Sequence, residues 1–438
     1  MKKVRILFGA MLFAAAVCVG CNTVPTPADE PEENVETVIS DGPIDVLFPT
    51  PEKEISGLSL TDAQMAYQKA AGRFAMNSMA KLYDGKSFVM SPLSLQMALS
   101  LAGSGASGQT AEEILAVLGF DGIGADALNA YSKTLLEQLP ALDLGVSLTL
   151  ANAIVLNKYY RMVDTYKEQM ASSYFAPVVN ADFDDEKNTL SLINDWSSRN
   201  TNGLIPVILE KVNPQAAAYL LNALYFKAGW TYGFSDSMIG KNEDFKAAGN
   251  KVVKVDYLQM TEEGLPYLDL GNYQMLSKPM GEKQQFLFTV FLPKEDNGLA
   301  AMIKELASLD LSSLGSKAKG EYVQYRIPKF VIESSFELKE TLEALGVRRA
   351  FTNWAEFDKM ISGENVKIDE VIQKATLKLN ENGIEGAATT VIGMMATSPG
   401  PGYEPPKPIV FHADHPFVYV ISERSSGTIL FTGVYDGS

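Results

Sequence analysis

Histidine and cysteine are the side chains through which this chain could most readily act as an enzyme, and it has few of either. The only two histidines are His412 and His415, in the segment HADH. Their apolar flanks indicate extended chain, in which positions three apart point to opposite sides. Such a pair suits neither a metal site nor a catalytic dyad, and no G-x-S-x-G motif presents a serine. We therefore expect no enzymatic activity, no metal and no cofactor.

A glycine-rich segment, GSGASG at residues 103–108, matches the spacing of a dinucleotide-binding loop. That loop works only when a strand precedes it and a helix follows, because the pyrophosphate sits on the helix N-terminus. Here the preceding residues have a helical pattern. The segment is therefore predicted to be a turn between two helices.

The first twenty residues have the pattern of an export signal. Three basic residues precede an apolar run at positions 6–19, which is too short to span a bilayer. The run ends at Gly20-Cys21, which resembles a bacterial lipobox, although Cys18 stands where leucine is usual. We expect residues 1–20 to be removed and Cys21 to be lipidated, which would anchor the protein to a bacterial membrane, on an outer-membrane, periplasmic or cell-surface face. An ordinary cleaved secretory signal is the alternative.

The next segment, residues 21–57, is predicted to be an acidic, proline-rich tether. Its low content of bulky apolar residues cannot offset the entropy of ordering it. Against the single base Lys53 it carries nine acids: Asp29, Glu30, Glu32, Glu33, Glu36, Asp41, Asp45, Glu52 and Glu54. The rest of the chain is also acidic, so we expect no binding to nucleic acid. After processing only Cys21 remains of the cysteines, which excludes disulfides and thiol catalysis.

Residues 58–438 show no linker or repeat and are interpreted as one α+β domain. Helical signals come first. Thr61 and Gln64 have capping-box spacing before one helix, and Thr110 with Glu113 has it before another. Strand signals dominate later and predict a mainly antiparallel sheet. They are AAYLLNALYFKAGW, QFLFTVFLP, YVQYRIPKFVIES, KATLKLN, PFVYVIS and GTILFTGVYD.

Four stretches of this domain resemble the serpin family, in the family's order and spacing. They are SPLSLQMALSLAGSGASGQT, INDWSSRNTNGLI with LLNALYFKAGW, ENGIEGAATT, and FHADHPFVYVISERSSGTILFTGV. The resemblance implies a serpin fold, in which helices pack on a large central, mainly antiparallel sheet, with further sheets and an exposed reactive loop. It also implies that the protein inhibits proteases.

The resemblance assigns a cluster of residues to the place where the central sheet opens. Ser91, Ser94 and Asn222 would lie beneath the opening, and Trp230 near its top. Gln373 stands where the family often has a histidine, which removes a titratable group from this place. Without the resemblance, Asn222 and Trp230 would be interpreted as an ordinary buried amide and core aromatic.

The same resemblance makes residues from about 381 to 408 the reactive loop. After a protease cuts it, its N-terminal arm would enter the central sheet as a new strand. Alternate residues from Ile384 to Met394 would face the core; they are uncharged, and no proline precedes Pro399. A merely flexible linker would not need this pattern. The hinge residues are Glu381, Gly383, Ile384, Glu385, Gly386, Ala387, Ala388, Thr389 and Thr390.

Counting along the family's spacing from the hinge places the scissile bond at Thr397–Ser398, with Met395 or Ala396 as alternative cut sites. A small residue at this bond favours suicide inhibition of elastase-like and subtilisin-like serine proteases, and of some papain-like cysteine proteases. Trypsin-like enzymes are disfavoured because the loop has no basic residue before Lys407.

The alternative function is that of a serpin-fold binding or chaperone protein whose loop never enters the sheet. Charged or proline-rich hinges mark such proteins, and this hinge has neither feature. The expected partners are target proteases and, through the lipid on Cys21, a membrane. We expect the protein itself to be a monomer.

Overall fold

The computed structural model describes residues 13–21, 43–45, 49, 51–384 and 407–438 of the chain. In that part of the chain the helices are α1 (Asp62–Leu82), α2 (Pro92–Ser104), α3 (Gly108–Leu118), α4 (Ala125–Gln138), α5 (Asp164–Tyr174), α6 (Glu186–Asn200), α7 (Leu299–Leu306), α8 (Leu311–Lys317) and α9 (Lys339–Leu345). No helix among these residues is both long and apolar enough to cross a bilayer.

The strands follow the same chain order. They are β1 (Phe13–Cys21), β2 (Phe88–Met90), β3 (Ser147–Asn157), β4 (Val178–Ala181), β5 (Ala216–Gly229), β6 (Ile239–Ala247), β7 (Lys251–Asp269), β8 (Tyr273–Met280), β9 (Phe286–Pro293), β10 (Lys319–Pro328), β11 (Phe330–Glu337), β12 (Val366–Asn380), β13 (Gly383–Ile384), β14 (Ile409–His412), β15 (Phe417–Glu423) and β16 (Ile429–Tyr435). The predicted α+β class is confirmed.

Among the described residues, seven strands form the central sheet, which we call sheet A. Its order is β4–β3–β5–β12–β11, with β1 and β13 both lying between β5 and β12. β3 and β4 are parallel, whereas β1 and β13 run antiparallel to both of their neighbours. β5 and β12 therefore run in the same direction, and the position between them can be filled only by another segment of chain.

In the described part of the chain, nine strands form the second sheet, sheet B, in the order β14–β10–β7–β8–β9–β15–β16–β2, with β6 paired to β7. β15 and β16 form the antiparallel hairpin that the sequence predicts, and both strands are almost entirely buried. The expectation of further sheets beside the central one is confirmed.

Both faces of sheet A are covered around β1. On one face it contributes to the main hydrophobic core, together with α2, every residue of which is buried. On the other face, Ile193 and Trp196 of α6 form a second apolar cluster with side chains of β3 and β5. A strand between β5 and β12 is therefore buried on both sides at this level of the sheet.

The local signals for helix starts are confirmed at α1 and wrong at α3. At α1 the Thr61 side chain accepts a hydrogen bond from Gln64 N at 3.2 Å, and Gln64 accepts one from Thr61 N in return. α3 instead begins at Gly108, so the predicted cap Thr110 lies inside its first turn. There Thr110 Oγ1 accepts from Glu356 N at 3.0 Å, a partner distant in sequence. The glycine-rich segment does connect α2 to α3, as predicted.

Parts of the predicted tether contact the domain. Ile44 is fully buried in the cluster beneath α6, and its carbonyl accepts a hydrogen bond from Arg199. Ile55 N donates to Ala141 O at 2.9 Å, and Glu54 accepts from Leu144 N. Two apolar residues, Ile44 and Ile55, and the carboxylate of Glu54 provide these attachment points.

Candidate functional site

The N-terminus of α2 lies where sheets A and B come together. Ser91 caps this helix: its hydroxyl oxygen accepts from Ser94 N at 3.1 Å, and Pro92 occupies the first helical position, where no N–H is needed. The Ser91 hydroxyl donates to Leu430 O of β16 at 2.9 Å. The cap therefore fixes the helix start against sheet B.

Ser94 connects the same helix end to sheet A. Its hydroxyl donates to Asn222 Oδ1 of β5 at 2.5 Å, and Asn222 Nδ2 donates to Asn152 Oδ1 of β3 at 2.8 Å. Asn152 in turn donates to Tyr174 O at 2.9 Å. The three side chains of Ser94, Asn222 and Asn152 are buried, so each finds its partner inside the protein, as buried polar groups must.

Gln373 connects α2 to β12. This strand borders the position between β5 and β12, which we call the insertion position. Its Nε2 donates to Ser91 O at 2.9 Å, and its Oε1 accepts from Ser91 N at 3.2 Å. The side chain is fully buried. A glutamine thus makes both hydrogen bonds without any group that titrates near neutral pH. The structure brings together four residues that were predicted to form one cluster: Ser91, Ser94, Asn222 and Gln373.

Trp230 lies apart from this cluster, immediately after β5. Its indole Nε1 donates to Asn380 O at 2.9 Å, where β12 ends and the hinge begins. Phe234 and Phe288 pack edge-on against the ring, and the ammonium of the buried Lys278 lies 5.7 Å from its centre. Trp230 therefore joins β5 to β12 at one end of the insertion position, while the α2 cluster joins them further along.

The hinge enters the sheet at this end. Gly383 and Ile384 form β13 and pair with Asn380 and Leu379 on one side and with Gly229 and Ala228 on the other. Gly383 has φ +120°, and a Cβ there would lie 2.2 Å from a backbone oxygen, so only glycine fits. Ile384 is fully buried in the main core.

An ion pair holds the start of the hinge. Lys329 Nζ lies 2.7 Å from Glu381 Oε2. Burial alone would raise the pKa of Glu381, but the nearby ammonium outweighs this effect and lowers it. The serpin resemblance predicts Glu381 as a hinge residue but gives no sign of Lys329. The ion pair between them forms only where β10, β11 and β12 meet, so it leaves no local pattern in the sequence.

The remaining predicted loop residues lie outside the described part of the chain. They are Glu385, Gly386, Ala387, Ala388, Thr389 and Thr390 of the hinge, and Met395, Ala396, Thr397 and Ser398 around the scissile bond. Their roles stay predictions.

A different segment occupies the position between β5 and β12. The apolar run predicted to be an export signal forms β1 in the unprocessed chain, with Phe13 opposite both Leu224 and Ala375, and Ala15 opposite both Asn222 and Gln373. Small and β-branched residues suit a strand enclosed on two edges and two faces. The structure thus adds a strand where the sequence predicted only a leader to be removed.

β1 continues the register of β13. Gly383 is opposite Gly229 and Asn380. Five residues back along each of these strands lie Leu224 and Ala375, which are opposite Phe13. A loop that continued from β13 without a bulge would therefore bring residue 388 to the place of Phe13.

His415 and Cys18 are both buried. His415 is held between Asp414 Oδ1 and Pro293 O, at 2.9 and 2.7 Å, which occupy both ring nitrogens. Cys18 is buried in β1, and burial raises the pKa of its thiol well above the ordinary value, aided by Glu370 and Asp369.

Comparison with known proteins agrees with this geometry. A family model for serpins (serine protease inhibitors) matches residues 69–436. An uncharacterised serpin-like protein of Thermococcus kodakarensis is 28% identical over 438 residues, which cover 99% of this chain and 98% of the relative. Antitrypsin of Bombyx mori is 31% identical over 360 residues, covering 80% and 88%. The native state of the thermophilic serpin tengpin gives a TM-score of 0.75 at 26% identity, covering 88% and 97%. The chain therefore belongs to the serpin family of protease inhibitors.

Proposed function

We propose that the processed protein is a suicide inhibitor of serine proteases that cut after small residues. The protease would attack the reactive loop and form an acyl-enzyme, and the freed arm would enter sheet A before that ester is hydrolysed. The observation that carries the proposal is β13, because the first hinge residues already pair with both β5 and β12. Strand addition of this kind is a known use of serpin loops.

The register of β13 supports the expected orientation of the arm. Residues two apart on a strand face the same side. Ile384 faces the main core, so Gly386, Ala388, Thr390, Ile392 and Met394 would face it too. None of these side chains carries a charge, which would be costly to bury. At the level of β1, α6 covers the opposite face of sheet A. The loop residues that alternate with the core-facing set would therefore also be partly enclosed.

The loop sequence supports the target class. Thr397 is small and β-branched, which suits the shallow pockets of elastase-like and subtilisin-like proteases, with some papain-like cysteine proteases as further targets. The relative from Bombyx mori is named antitrypsin. The loop of this chain has no basic residue before Lys407, so we propose that trypsin is not its target.

Incubating the processed protein with elastase, subtilisin, chymotrypsin and papain tests the proposal. We expect an SDS-resistant complex with elastase or subtilisin, and a released C-terminal fragment beginning at Ser398. Loop cleavage without any complex would contradict inhibition and favour a binding or chaperone protein.

Ala388→Asp separates insertion from cleavage. It would place a carboxylate on the core-facing side, next to Leu224 and Ala375, and slow insertion. The variant should be cut at the same bond but released as product, so cleavage itself serves as the control for loop recognition. Complex formation at the parental stoichiometry would count against insertion in this register.

We also propose that the processed protein is monomeric and anchored through lipid on Cys21. Three features of the sequence support the lipid anchor: the basic N-terminal residues, the apolar run that follows them, and Gly20-Cys21. Cys21→Ala should release the domain from the membrane fraction, because it removes the acyl chains that hold it there. Unchanged partitioning into detergent would contradict a lipid anchor.

A further inference from the structure

We infer that residues 13–21 act as an internal plug: in the unprocessed chain β1 fills the strand position that the reactive loop needs, and the protein can trap a protease only after residues 1–20 are removed. The inference rests on the proposed function for its consequence, because blocking insertion matters only if insertion traps the protease. The plug itself rests on described residues.

The backbone of β1 is paired along both edges. Residues 13–21 pair with β12 from Ala375 to Val366, and residues 13–20 pair with β5 from Leu224 to Ala216. A strand paired on both sides leaves no N–H or C=O row free for a second strand. The loop and β1 therefore exclude one another.

At residues 16–18, where the side chains of β1 are described, they fill the position as a loop strand would. Val17 is fully buried in the main core, while Ala16 and Cys18 are buried in the cluster beneath α6. Continuing the register of β13 would bring Ile392 to the place of Val17. Both are β-branched and apolar, so the same cavity accepts either segment.

The space left for the loop is short. β13 ends at Ile384, and residue 388 would meet the place of Phe13. Only residues 385–387 remain between the two segments. With β1 seated, insertion of the arm would therefore stop after its first few residues, too few to draw a protease along the sheet.

Processing would remove the plug rather than merely loosen it. Hydrolysis of the Gly20–Cys21 amide by water leaves a carboxylate on Gly20 and an amine on Cys21. Eight of the nine β1 residues, 13–20, then belong to the released peptide. Once that peptide is a separate molecule, its effective concentration at sheet A falls to its dilute free concentration.

The test uses the full chain carrying Cys21→Ser, which blocks the predicted lipidation and processing and leaves Cys18 as the one thiol. Val17→Asp in this background should expel β1, and Val24→Asp, three residues beyond the end of β1, is the matched control. Val17→Ala provides a milder variant. Intact mass verifies that residue 1 is retained, and far-UV circular dichroism verifies folding.

Maleimide labelling of Cys18 measures whether the plug is seated. We expect slow labelling in the Cys21→Ser and Val24→Asp chains, labelling about a hundredfold faster with Val17→Asp, and an intermediate rate with Val17→Ala. Equal rates in the Cys21→Ser and Val17→Asp chains would overturn the plug.

Complex formation with elastase and subtilisin measures whether the seated plug prevents the protein from trapping a protease. The processed protein purified from membranes should trap the protease, the unprocessed Cys21→Ser chain should only be cut, and Val17→Asp should restore trapping. Equal trapping by processed and unprocessed chains would overturn the inference. If the processed protein traps nothing, the proposed function fails, whereas the Cys18 labelling still decides whether β1 is seated.

Discussion

Asn222 and Gln373 lie opposite one another across a single residue of the inserted strand, each being a backbone neighbour of Ala15. Each also holds the N-terminus of α2, Asn222 through Ser94 and Gln373 through the backbone of Ser91. One helix end thus fixes both edges of the position that a new strand must enter. Any separation of β5 from β12 has to move or break these hydrogen bonds.

Gln373→Leu should lower the free energy of unfolding of the processed protein by about 1–3 kcal/mol. The reason is that Ser91 N would stay buried without its acceptor, while Ser91 O keeps its helical partner Leu95 N. Urea unfolding measures the change. Gln324→Leu, on an exposed position of β10, is the control and should stay within about 0.5 kcal/mol of the parent. Equal effects of the two variants would mean that the Ser91 contact does not stabilise the fold.

Lys329→Met should loosen the hinge. The ion pair with Glu381 is about one-third exposed on the acid's side, so we expect a loss of about 0.5–1 kcal/mol at pH 7. Amide hydrogen exchange at Gly383 and Ile384 should become faster. Lys294→Met breaks an ion pair of similar length with Asp269, away from the hinge, and should leave those two amides unchanged.

The same pair gives a pH dependence. The pKa of Glu381 is lower in the folded protein than its ordinary value of 4.5, so the stabilisation is present above 4.5 and is lost as the pH falls through the folded pKa. The difference in stability between parent and Lys329→Met should therefore shrink in acid. A difference that is constant from pH 7 to pH 3 would contradict the pairing.

His415 should make the protein less stable as the pH rises above neutrality. Burial alone would lower its pKa, but the hydrogen bonds to Asp414 and the Pro293 carbonyl outweigh burial and raise it. Its contribution is complete below 6.5 and is lost as the pH rises through the folded pKa, at no more than about 1.4 kcal/mol per pH unit. Burial and Arg326 lower the pKa of His412, so this residue changes the stability of the protein only below pH 6.5. His415→Gln should flatten the stability profile between pH 6.5 and 9, and an unchanged profile would exclude His415 as its source.

Thr397→Arg should convert the processed protein into a trypsin inhibitor and weaken its action on elastase. A deep acidic pocket needs a cation to fill it, whereas a shallow pocket excludes a long side chain. Association rates with both proteases measure the switch, and Ser398→Arg, one residue further, is the matched control. If both arginine variants trap trypsin equally, the scissile bond is not Thr397–Ser398.

The serpin resemblance predicts the α2 cluster because Ser91, Ser94 and Asn222 fall in distinctive stretches of sequence. The hydrogen bonds themselves could not be predicted in this way. Gln373 meets Ser91 only because β12 passes beneath α2, and Lys329 meets Glu381 only because three strands converge. Such contacts join residues far apart in the chain and leave no periodicity near either partner.

The N-terminal strand shows a second limit. A run of alanine and valine after basic residues has the same local pattern whether it is a leader or a buried strand. In the folded chain, the open position between β5 and β12 decides whether this run forms a strand. The residues that build that position lie about 200 and 360 positions later in the sequence. At Thr110 a distant partner, Glu356, likewise replaced the predicted capping role.

We expect the cut loop to enter sheet A beside Asn222 and Gln373. Thermal unfolding of the processed protein before and after a single cut near Thr397, with both fragments verified to stay associated, tests it most directly. The midpoint should rise by about 10 °C or more after cleavage, because the new strand closes the sheet. An unchanged or lowered midpoint would show that the loop stays outside the sheet and that strand insertion does not occur.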